Sequence, residues 1–383
     1  MTFKEELETL RGEPIQVFDG GPMGIPCIET SDSERLCRHP VVSVHMITYN
    51  HEPYIRQAIE GVMMQKTDFE FELVIGEDCS QDRTREICFE YQKRYPDKIR
   101  VLWWHENVSE LGGNYQRVEA RCRGEFIALC EGDDYWIDPL KLQKQVDVMR
   151  KCPSVGYCFT GAKVLSEIPH DHPRLRSFAI KKWHGNMFDF DLGTYKPGLV
   201  PKDEFWNNRW IYPRTCTVLF RQKFYKRLKQ DLDIFSWRLR LGDALLWNAF
   251  PFVSDAYYLA DITAVYRLNA GGISFSGDCL LPVDHAVVDA YFALKHNEPK
   301  AVINKLVLRI LDRRFSFVDS RDGAAGLEKL FSLSLVKDAM WNDCGFWKMY
   351  AILRRFGICI RPDKLRHGIN VIRHPLRCIK LKG

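Results

Sequence analysis

The segment 123-RGEFIALCEGDDYW-136 contains an apolar run followed at once by a cluster of acids. The run, 125-EFIALC-130, is typical of a strand covered on both faces. Directly after it, the three carboxylates Glu131, Asp133 and Asp134 surround a single glycine. In open parallel sheets, ligands bind beyond the carboxyl ends of the strands. The segment therefore predicts a strand that ends at a charged functional loop.

Three further apolar runs precede this strand, and helical patterns separate them. The predicted strands are 41-VVSVHMI-47, 71-FELVIG-76, 99-IRVLWW-104 and 125-EFIALC-130. Apolar residues from Ile55 to Met63 recur at helical spacing, a second helix follows Asp82 as a candidate N-cap, and a third lies near 113–123. This alternation favours an α/β fold with a doubly wound, mostly parallel sheet.

The chain divides into three predicted regions. Residues 1–39 show no sustained period and contain several Gly and Pro residues, so we expect a lead-in segment. The β/α alternation predicts a domain over 40–281, which includes expected strands at 155–165 and 215–221. Helical spacing beyond 282 predicts a helical C-terminal region, 282–383, with a basic tail.

Composition indicates a packed globular protein in a reducing compartment. Of 383 residues, 46% are hydrophobic and 27% charged, which suits one large domain, or one domain plus an appendage. Thirteen cysteines without a C-x-x-C pair favour reduced thiols over a zinc cage or a disulfide framework. The start lacks a signal-peptide pattern, and no apolar stretch approaches the roughly 18 residues that span a bilayer. We expect a cytoplasmic protein.

The acidic loop suits a hard divalent cation. Mg²⁺ or Mn²⁺ is usually held by one or two carboxylates, while substrate phosphates complete the shell. The alternative is a solvated acidic turn before the next helix, for which Asp138 is a candidate cap. The other predicted strand ends, 48-TYNHE-52 and 77-EDCSQD-82, are also polar. Polar groups at three strand ends favour a ligand site.

Three blocks in this order and spacing resemble a known family. They are 42-VSVHMITYN-50, 73-LVIGEDCSQDRT-84 and 123-RGEFIALCEGDDYW-136, and they are similar to the nucleotide-binding half of the inverting glycosyltransferases of family 2, of the bacterial surface-polysaccharide type, which have the GT-A fold. The resemblance spans roughly residues 40–275. It implies Mn²⁺- or Mg²⁺-dependent transfer of a sugar from a nucleotide-sugar donor to a glycan or lipid-linked acceptor in surface polysaccharide biosynthesis.

The resemblance also implies roles for single residues. The implied nucleotide contacts are Thr48 and Tyr49 at the base, Glu77 and Asp78 at base and ribose, and Asp134 toward the sugar-phosphate. Glu131-Gly132-Asp133 matches the D-x-D motif, which makes Asp133 the implied metal ligand and Glu131 a second candidate. Glu stands at 77 and 131, where Asp is commoner in the family.

A candidate catalytic base lies downstream, in 241-LGDALLW-247. Asp243 stands where a helix is predicted to begin, and the family has an acid there, often in a pair; Gly242 replaces the first acid of that pair. In an in-line displacement, a carboxylate must take the proton of the acceptor hydroxyl. The alternative is an ordinary helix N-cap, and the upstream motifs favour the base.

Other side chains are weaker candidates. Aromatic faces with Arg donors suit carbohydrate, so Trp206, Arg209 and Arg214 are candidate contacts of acceptor or diphosphate, although core packing explains part of this pattern equally well. The block 265-VYRLNAGGISFSG-277 is similar to the one that follows the catalytic helix in the family, which implies that Arg267 approaches the diphosphate.

Two histidines near the first strand were weighed as metal ligands. A lone strand histidine such as His45, beside Val44 and Met46, is more often a satisfied core residue. His51 lies in the turn after Asn50, and we expect it to be exposed.

The C-terminal end is basic, since 354–383 contains many Arg and Lys but a single acid, Asp363. Residues 352–383 also contain apolar side chains, so peripheral contact with an anionic membrane and a solvated tail are equally weighted interpretations. No nucleic-acid module is recognised, and no nucleic-acid partner is expected.

Two rival functions are weighed against transfer. The first is a non-catalytic sugar-nucleotide-binding or scaffold protein on the same fold, which Glu77, Glu131 and the missing acid at 242 make conceivable. Nucleotidyl transfer is the second, but it predicts a glycine-rich loop after the first strand, and 48-TYNHEPY-54 has no glycine.

Overall fold

The structure of the protein is a computed structural model. It describes residues 1–12, 15, 25–108, 113–169, 175, 184–189, 195–208, 213–239, 242–272, 281–300, 302–307, 334, 358–360 and 379–381. The chain forms two compact units, Phe18–Gly277 and Met1–Val17 with Asp278–Gly383. The division into three regions, with boundaries at 39/40 and 281/282, stays a prediction.

The larger unit contains a sheet of eleven strands in its described part. The strands are β1 (Ile28–Thr30), β2 (Val42–Thr48), β3 (Phe71–Glu77), β4 (Ile99–Trp103), β5 (Phe126–Leu129), β6 (Tyr135–Trp136), β7 (Val155–Ser166), β8 (Met187–Asp189), β9 (Gly198–Val200), β10 (Leu219–Arg221) and β11 (Asp255–Leu268).

Several of the helices that follow the strands stand where the sequence pattern predicts them. In the larger unit they are α2 (Ile55–Met63), α3 (Thr84–Arg94), α4 (Gly113–Arg121), α5 (Lys141–Lys151), α6 (Lys202–Asn207), α7 (Gln222–Asp231) and α8 (Gly242–Ala249). The smaller unit contains α1 (Phe3–Arg11) and α9 (Leu281–Lys295).

The strand order is β1-β4-β3-β2-β5-β10-β7-β11-β6, with β8 beside β7 and β9 beside β11. Strands β4, β3, β2 and β5 run parallel, and β10 lies antiparallel between β5 and β7. Thr48 pairs with Glu77, and His45 pairs with Leu129. The polar segments after β2, β3 and β5 therefore share one edge of the sheet, and the mostly parallel α/β prediction is confirmed.

Both faces of the central strands are covered, which explains their continuous apolar runs. Every residue of β3 and β5 is buried. The core includes Val44 and Leu73, and α2 packs closely at Gly61, where a Cβ atom would lie 2.9 Å from the backbone of Trp136. His45 is 2% exposed, and its Nε2 atom is 2.9 Å from the carbonyl oxygen of Tyr115. The expectation of a satisfied core histidine is confirmed.

The structure corrects the local predictions at three places. The first residues form α1, whose capping box joins Thr2 and Glu5, although no sustained period was found there. Helix α3 begins at Thr84 with Arg83 at the N-cap position, while the Asp82 carboxylate accepts the Thr84 N–H at 3.0 Å. The predicted strand at 215–221 is shortened to β10, because a 3-10 turn occupies Thr215–Thr217.

The described part of the C-terminal region is not wholly helical. Strands β12 (Ile358–Ile360) and β13 (Ile379–Leu381) pair antiparallel, a feature that the helical prediction lacked. Among the described residues, no helix is both long and apolar enough to cross a bilayer. The nine cysteines between Cys27 and Cys216 are free thiols.

Candidate active site

The acidic loop after β5 is fixed against the end of β2. The Gly132 N–H donates to the Ile47 carbonyl at 2.9 Å. A Cβ atom at 132 would lie 2.6 Å from Oγ1 of Thr48 and 2.9 Å from Nδ1 of His51, so this approach requires glycine. The Thr48 Oγ1 and His51 Nδ1 atoms are themselves buried and have no hydrogen-bond partner. The loop therefore encloses a small polar cradle at the carboxyl edge of the sheet.

Asp133 is held from two sides yet remains accessible. Its side chain is 18% exposed. Asn269 donates its amide N–H to Asp133 Oδ2 at 2.9 Å, and His51 Nε2 lies 3.9 Å from the same oxygen. The expectation that His51 is exposed is wrong, because its side chain is packed beside Asp133 at 21% exposure. Asn269 and His51 are thus site residues that the sequence argument did not assign.

Glu131 and Asp134 have buried oxygens that lack donors. Glu131 Oε2 and Asp134 Oδ2 accept no hydrogen bond, whereas Asp134 Oδ1 accepts the Arg267 backbone N–H at 2.8 Å. Burial, reinforced by the charges of Asp133 and Glu131, raises the pKa of Asp134 well above its usual value. Burial, with Asp133 and Asp243 nearby, raises the pKa of Glu131 to about 7. Burial and mutual repulsion therefore oppose ionisation of these carboxyls together, and a bound cation would relieve that repulsion.

These residues fit a divalent cation that substrate oxygens help to hold. No group of three or more His, Cys, Asp or Glu side chains within the described ranges forms a complete metal cage. Mg²⁺ and Mn²⁺ need only one or two protein carboxylates when phosphates supply the other ligands. The accessible Asp133 carboxylate and the Glu131 Oε2 atom, which is buried and accepts no hydrogen bond, could supply these protein ligands.

Asp243 approaches the loop from another element. It lies in the first turn of α8, as the sequence predicts, and its charge contributes to the raised pKa of Glu131. At Gly242, a Cβ atom would meet the ring of Tyr115 at 3.9 Å, which places the start of α8 against α4. Asp243 is thus placed where its charge acts on Glu131 of the acidic loop.

The candidates for the nucleobase differ in accessibility. Thr48 is 2% exposed, and its backbone carbonyl accepts the Asp78 N–H at 3.0 Å. The Tyr49 side chain is the accessible one, at 40% exposure. Asp78 is fully buried, and its Oδ1 accepts the Val108 N–H at 2.8 Å.

Glu77 is also fully buried. Its carboxylate accepts hydrogen bonds from Arg85 and, at 2.7 Å, from the Ser80 N–H. Glu77 and Asp78 thus hold the loops that follow β3 and β4. The nucleotide contacts that the resemblance implies for them stay predictions.

The weaker candidates are placed differently from one another. The guanidinium carbon of Arg214 lies 4.9 Å from the centre of the Tyr266 ring. Burial lowers the pKa of Arg214, and Tyr266, Asp134 and Asp243 partly offset this effect. Trp206 is 6% exposed and packs edge-on against Phe252, as the core-packing alternative predicts. Arg209 lies outside the described residues.

Arg267 reaches the acidic loop rather than open space. Its Nε donates to the Asp133 carbonyl at 2.8 Å, and Nη1 donates to Glu167 at 2.6 Å. The side chain is 7% exposed. Glu167 is a further residue of this region that the sequence argument missed.

Known proteins share this sequence pattern and fold. Residues 43–228 match the family model described as Glycosyl transferase family 2. An uncharacterized protein of Mycobacterium tuberculosis is 30% identical over 300 residues, which cover 75% of this chain and 79% of that protein. TuaG of Bacillus subtilis, a putative teichuronic acid biosynthesis glycosyltransferase, is 32% identical over 128 residues, 33% of this chain and 49% of TuaG.

A solved structure extends the fold comparison over most of the chain. TarS of S. aureus, crystallised in complex with UDP-GlcNAc, is 20% identical with a TM-score of 0.51, and the match covers 87% of this chain and 92% of TarS. At this identity the likeness supports the fold alone. With the family match and the acidic loop in place, the chain belongs to glycosyltransferase family 2 and is a glycosyltransferase with the GT-A fold.

Proposed function

We propose that the protein is a metal-dependent inverting glycosyltransferase that acts in surface polysaccharide biosynthesis. The donor would be a nucleotide-sugar and the acceptor a glycan or a lipid-linked glycan. The acidic loop with Glu131 and Asp133, fixed at the carboxyl edge of the parallel strands, supports the proposal, and Asp243 in the first turn of α8 is the proposed base. The description of TuaG as a teichuronic acid biosynthesis glycosyltransferase supports the proposed pathway.

The acids divide the chemistry between them. Asp133, with Glu131 as a second donor, would hold Mn²⁺ or Mg²⁺. The cation supplies positive charge to the diphosphate leaving group. Asp243 accepts the proton of the acceptor hydroxyl as that oxygen attacks the anomeric carbon. Because one displacement replaces the diphosphate from the opposite face, the anomeric configuration inverts.

The remaining candidates would bind the donor. Tyr49 presents an accessible ring for the base, and Arg214 lies near Asp134 and Asp243, where it suits the diphosphate. Thr48, Glu77 and Asp78 shape the base and ribose region from buried positions. The membership in a glycosyltransferase family favours this function over a non-catalytic binder.

A donor screen tests the proposal and identifies the sugar nucleotide. Nucleotide-sugars bound to the folded state should raise the melting temperature, by mass action, in the presence of Mn²⁺. The stabilising donor is then incubated with acceptor glycans, and the product anomer is read by NMR. An inverted anomer supports the proposal. Protection by no nucleotide-sugar, or a product with retained configuration, would contradict it.

The basic end suggests where the enzyme works. We propose a cytoplasmic enzyme whose residues 352–383 contact the anionic face of the membrane, close to a lipid-linked acceptor. Deletion of 357–383 should abolish co-sedimentation with vesicles that contain anionic lipid. Unchanged sedimentation of the truncated protein would favour the solvated-tail alternative.

A further inference from the structure

The Arg267 guanidinium joins three separate parts of the chain. Arg267 is the penultimate residue of β11 and is 8% exposed. Its Nε donates to the Asp133 carbonyl at 2.8 Å, Nη1 to Glu167 Oε1 at 2.6 Å, and Nη2 to Gln57 Oε1 at 2.8 Å. One side chain thus ties the acidic loop to the end of β7 and to α2.

Glu167 is fixed independently of Arg267. Its backbone N–H donates to the Leu268 carbonyl at 2.9 Å, which continues the pairing of β7 with β11. Its second oxygen, Oε2, accepts the Tyr54 hydroxyl at 2.7 Å. The Tyr54 ring in turn lies 4.6 Å from the guanidinium carbon of Arg267. The carboxylate is therefore held in place to receive the guanidinium.

The end of β11 also holds both aspartates of the loop. The Arg267 backbone N–H donates to Asp134 Oδ1 at 2.8 Å, and the Asn269 amide donates to Asp133 Oδ2 at 2.9 Å. Such outer contacts orient a ligand carboxylate and tune its affinity for a metal. The Arg267 side chain donates to the backbone carbonyl of Asp133, not to its carboxylate. It therefore supports the loop and leaves the carboxylate oxygens free to bind a cation.

The positive charge of Arg267 explains why its partner Glu167 matters for the Asp133 carboxylate. A guanidinium is always charged, and five N–H groups allow it to form bidentate pairs with carboxylates. Glu167 pairs with this charge at 2.6 Å. Without the Glu167 charge, the guanidinium keeps its hydrogen bond to the Asp133 carbonyl and so stays beside the acidic loop. Arg267 would then compete with a cation for the Asp133 carboxylate.

We propose that Glu167, acting through Arg267, is a positioning residue that keeps Asp133 available for the divalent cation. Arg267 is accordingly part of the support for the loop rather than a ligand of the diphosphate. The inference rests on the proposed metal-dependent function and adds to it a residue, Glu167, that lies outside the acidic motif. Tyr54 supports Glu167 and contributes less, because the carboxylate keeps its backbone register and its pair with Arg267 when the hydroxyl is removed.

Binding of Mn²⁺ to the whole protein tests the proposal without turnover. Free Mn²⁺ is measured by electron paramagnetic resonance during titration, with inorganic pyrophosphate present in place of the donor diphosphate. Glu167→Gln should raise the Kd for Mn²⁺ about tenfold, the lower end of the effect of outer-shell substitutions. Tyr54→Phe should raise it about threefold, a fraction of that loss.

A matched control is available on α2 and α3. Arg56 and Glu90 form an ion pair at 2.8 Å, and both side chains are about half exposed. Glu90→Gln makes the same chemical change to an arginine partner away from the loop, and it should leave the Kd for Mn²⁺ unchanged. Glu90→Gln should melt within about 3 °C of wild type, because exposed ion pairs contribute little to stability. Glu167→Gln leaves the largely buried Arg267 without its charged partner and should melt lower, so the titration is run well below both melting temperatures.

The outcomes separate the inference from the function on which it rests. A wild-type Kd in folded Glu167→Gln, while wild type binds Mn²⁺, would overturn the positioning role and leave the proposed function intact. Equal losses in Glu167→Gln and Glu90→Gln would also overturn it, since they would show a general effect of charge. If wild type binds no Mn²⁺ with pyrophosphate, the proposed metal dependence fails, and the inference fails with it.

Discussion

Gly132 lies so close to Thr48 that a Cβ atom on the glycine would be 2.6 Å from the threonine hydroxyl oxygen. We therefore expect Gly132→Ala to push apart the acidic loop and the end of β2. Overpacking of this kind typically costs about 1–3 kcal/mol of unfolding free energy. The rate of sugar transfer should fall by about tenfold or more, because misplacement of a catalytic group by about 1 Å can lower the rate about a hundredfold. Urea unfolding and a donor-consumption assay measure the two effects.

Gly271→Ala is the control for that substitution. A Cβ atom at 271 would be 3.5 Å from the Asn269 side-chain oxygen, an ordinary contact. Its stability should stay close to that of wild type. If Gly132→Ala were as stable and as active as Gly271→Ala, the close approach of Gly132 to Thr48 would not matter for the site.

Removal of the Asn269 side-chain amide should lower the apparent affinity of the enzyme for Mn²⁺. Asn269 is a hydrogen-bond donor to Asp133 Oδ2, at 2.9 Å. In Asn269→Ala the carboxylate loses this support, and the Mn²⁺ concentration at half-maximal activity should rise about tenfold, as for other outer-shell substitutions. The maximal rate at saturating Mn²⁺ should change less. An unchanged Mn²⁺ dependence would show that Asn269 does not orient Asp133.

The buried His45 should make the protein sensitive to acid. Burial lowers the pKa of His45 to about 4, from 6.5. Between pH 6.5 and pH 4, His45 is mostly protonated in the unfolded chain and mostly neutral in the folded chain. The free energy of unfolding therefore falls as the pH drops from 6.5 to 4. The linkage amounts to roughly 3 kcal/mol over that window. In His45→Phe, urea midpoints measured at pH 7 and pH 4.5 should differ less than they do in wild type; an equal difference would contradict the prediction.

Replacement of the buried Lys141 by an apolar residue should stabilise the protein. Its side chain is fully buried at the start of α5, where Nζ donates to Gln145 at 2.6 Å and lies 4.4 Å from the Trp136 ring. Burial lowers the pKa of Lys141 to about 8, from 10.5. At neutral pH the folded state therefore carries a desolvation cost of roughly 3 kcal/mol.

Lys141→Met removes that desolvation cost. It also leaves the Gln145 side-chain oxygen without a hydrogen-bond donor, which lowers the free energy of unfolding by about 1–3 kcal/mol. We expect a net gain of about 1 kcal/mol at pH 7. The gain should shrink between pH 8 and 10.5, because there the unfolded wild type binds more protons than the folded wild type and wild-type stability rises with pH. Urea unfolding at pH 7 and pH 9.5 measures both effects, and an advantage that grows with pH would contradict the prediction.

The central sheet was predictable because its strands are buried on both faces. Strands β2, β3 and β5 give apolar runs bounded by polar segments, and parallel pairing of such strands puts these segments at one sheet edge. Helix α1 was missed although Thr2 and Glu5 form a capping box, a signal that is visible in the sequence. The shortened β10 depends on a local 3-10 turn that composition does not reveal.

The supporting residues of the site were not predictable in the same way. Asn269 contacts Asp133 across 136 positions of sequence, and Glu167 contacts Arg267 across 100. Neither periodicity nor motif spacing links such pairs, because β11 brings them together by pairing with β6 on one side and with β7 on the other. The acids of the loop could be assigned from sequence, whereas the residues that hold the loop required the structure.

The most direct test of the proposed function is sugar transfer by Asp133→Asn and Asp243→Asn in one assay with Mn²⁺ and the donor found by the screen. Each substitution removes one charge, and far-UV circular dichroism verifies that the variants are folded. Asp243→Asn should bind donor and Mn²⁺ like wild type but transfer at least about a hundredfold more slowly, as expected for loss of a general base. Asp133→Asn should lose the Mn²⁺-dependent part of donor binding together with transfer. Near-normal turnover in either variant would contradict the role assigned to that residue.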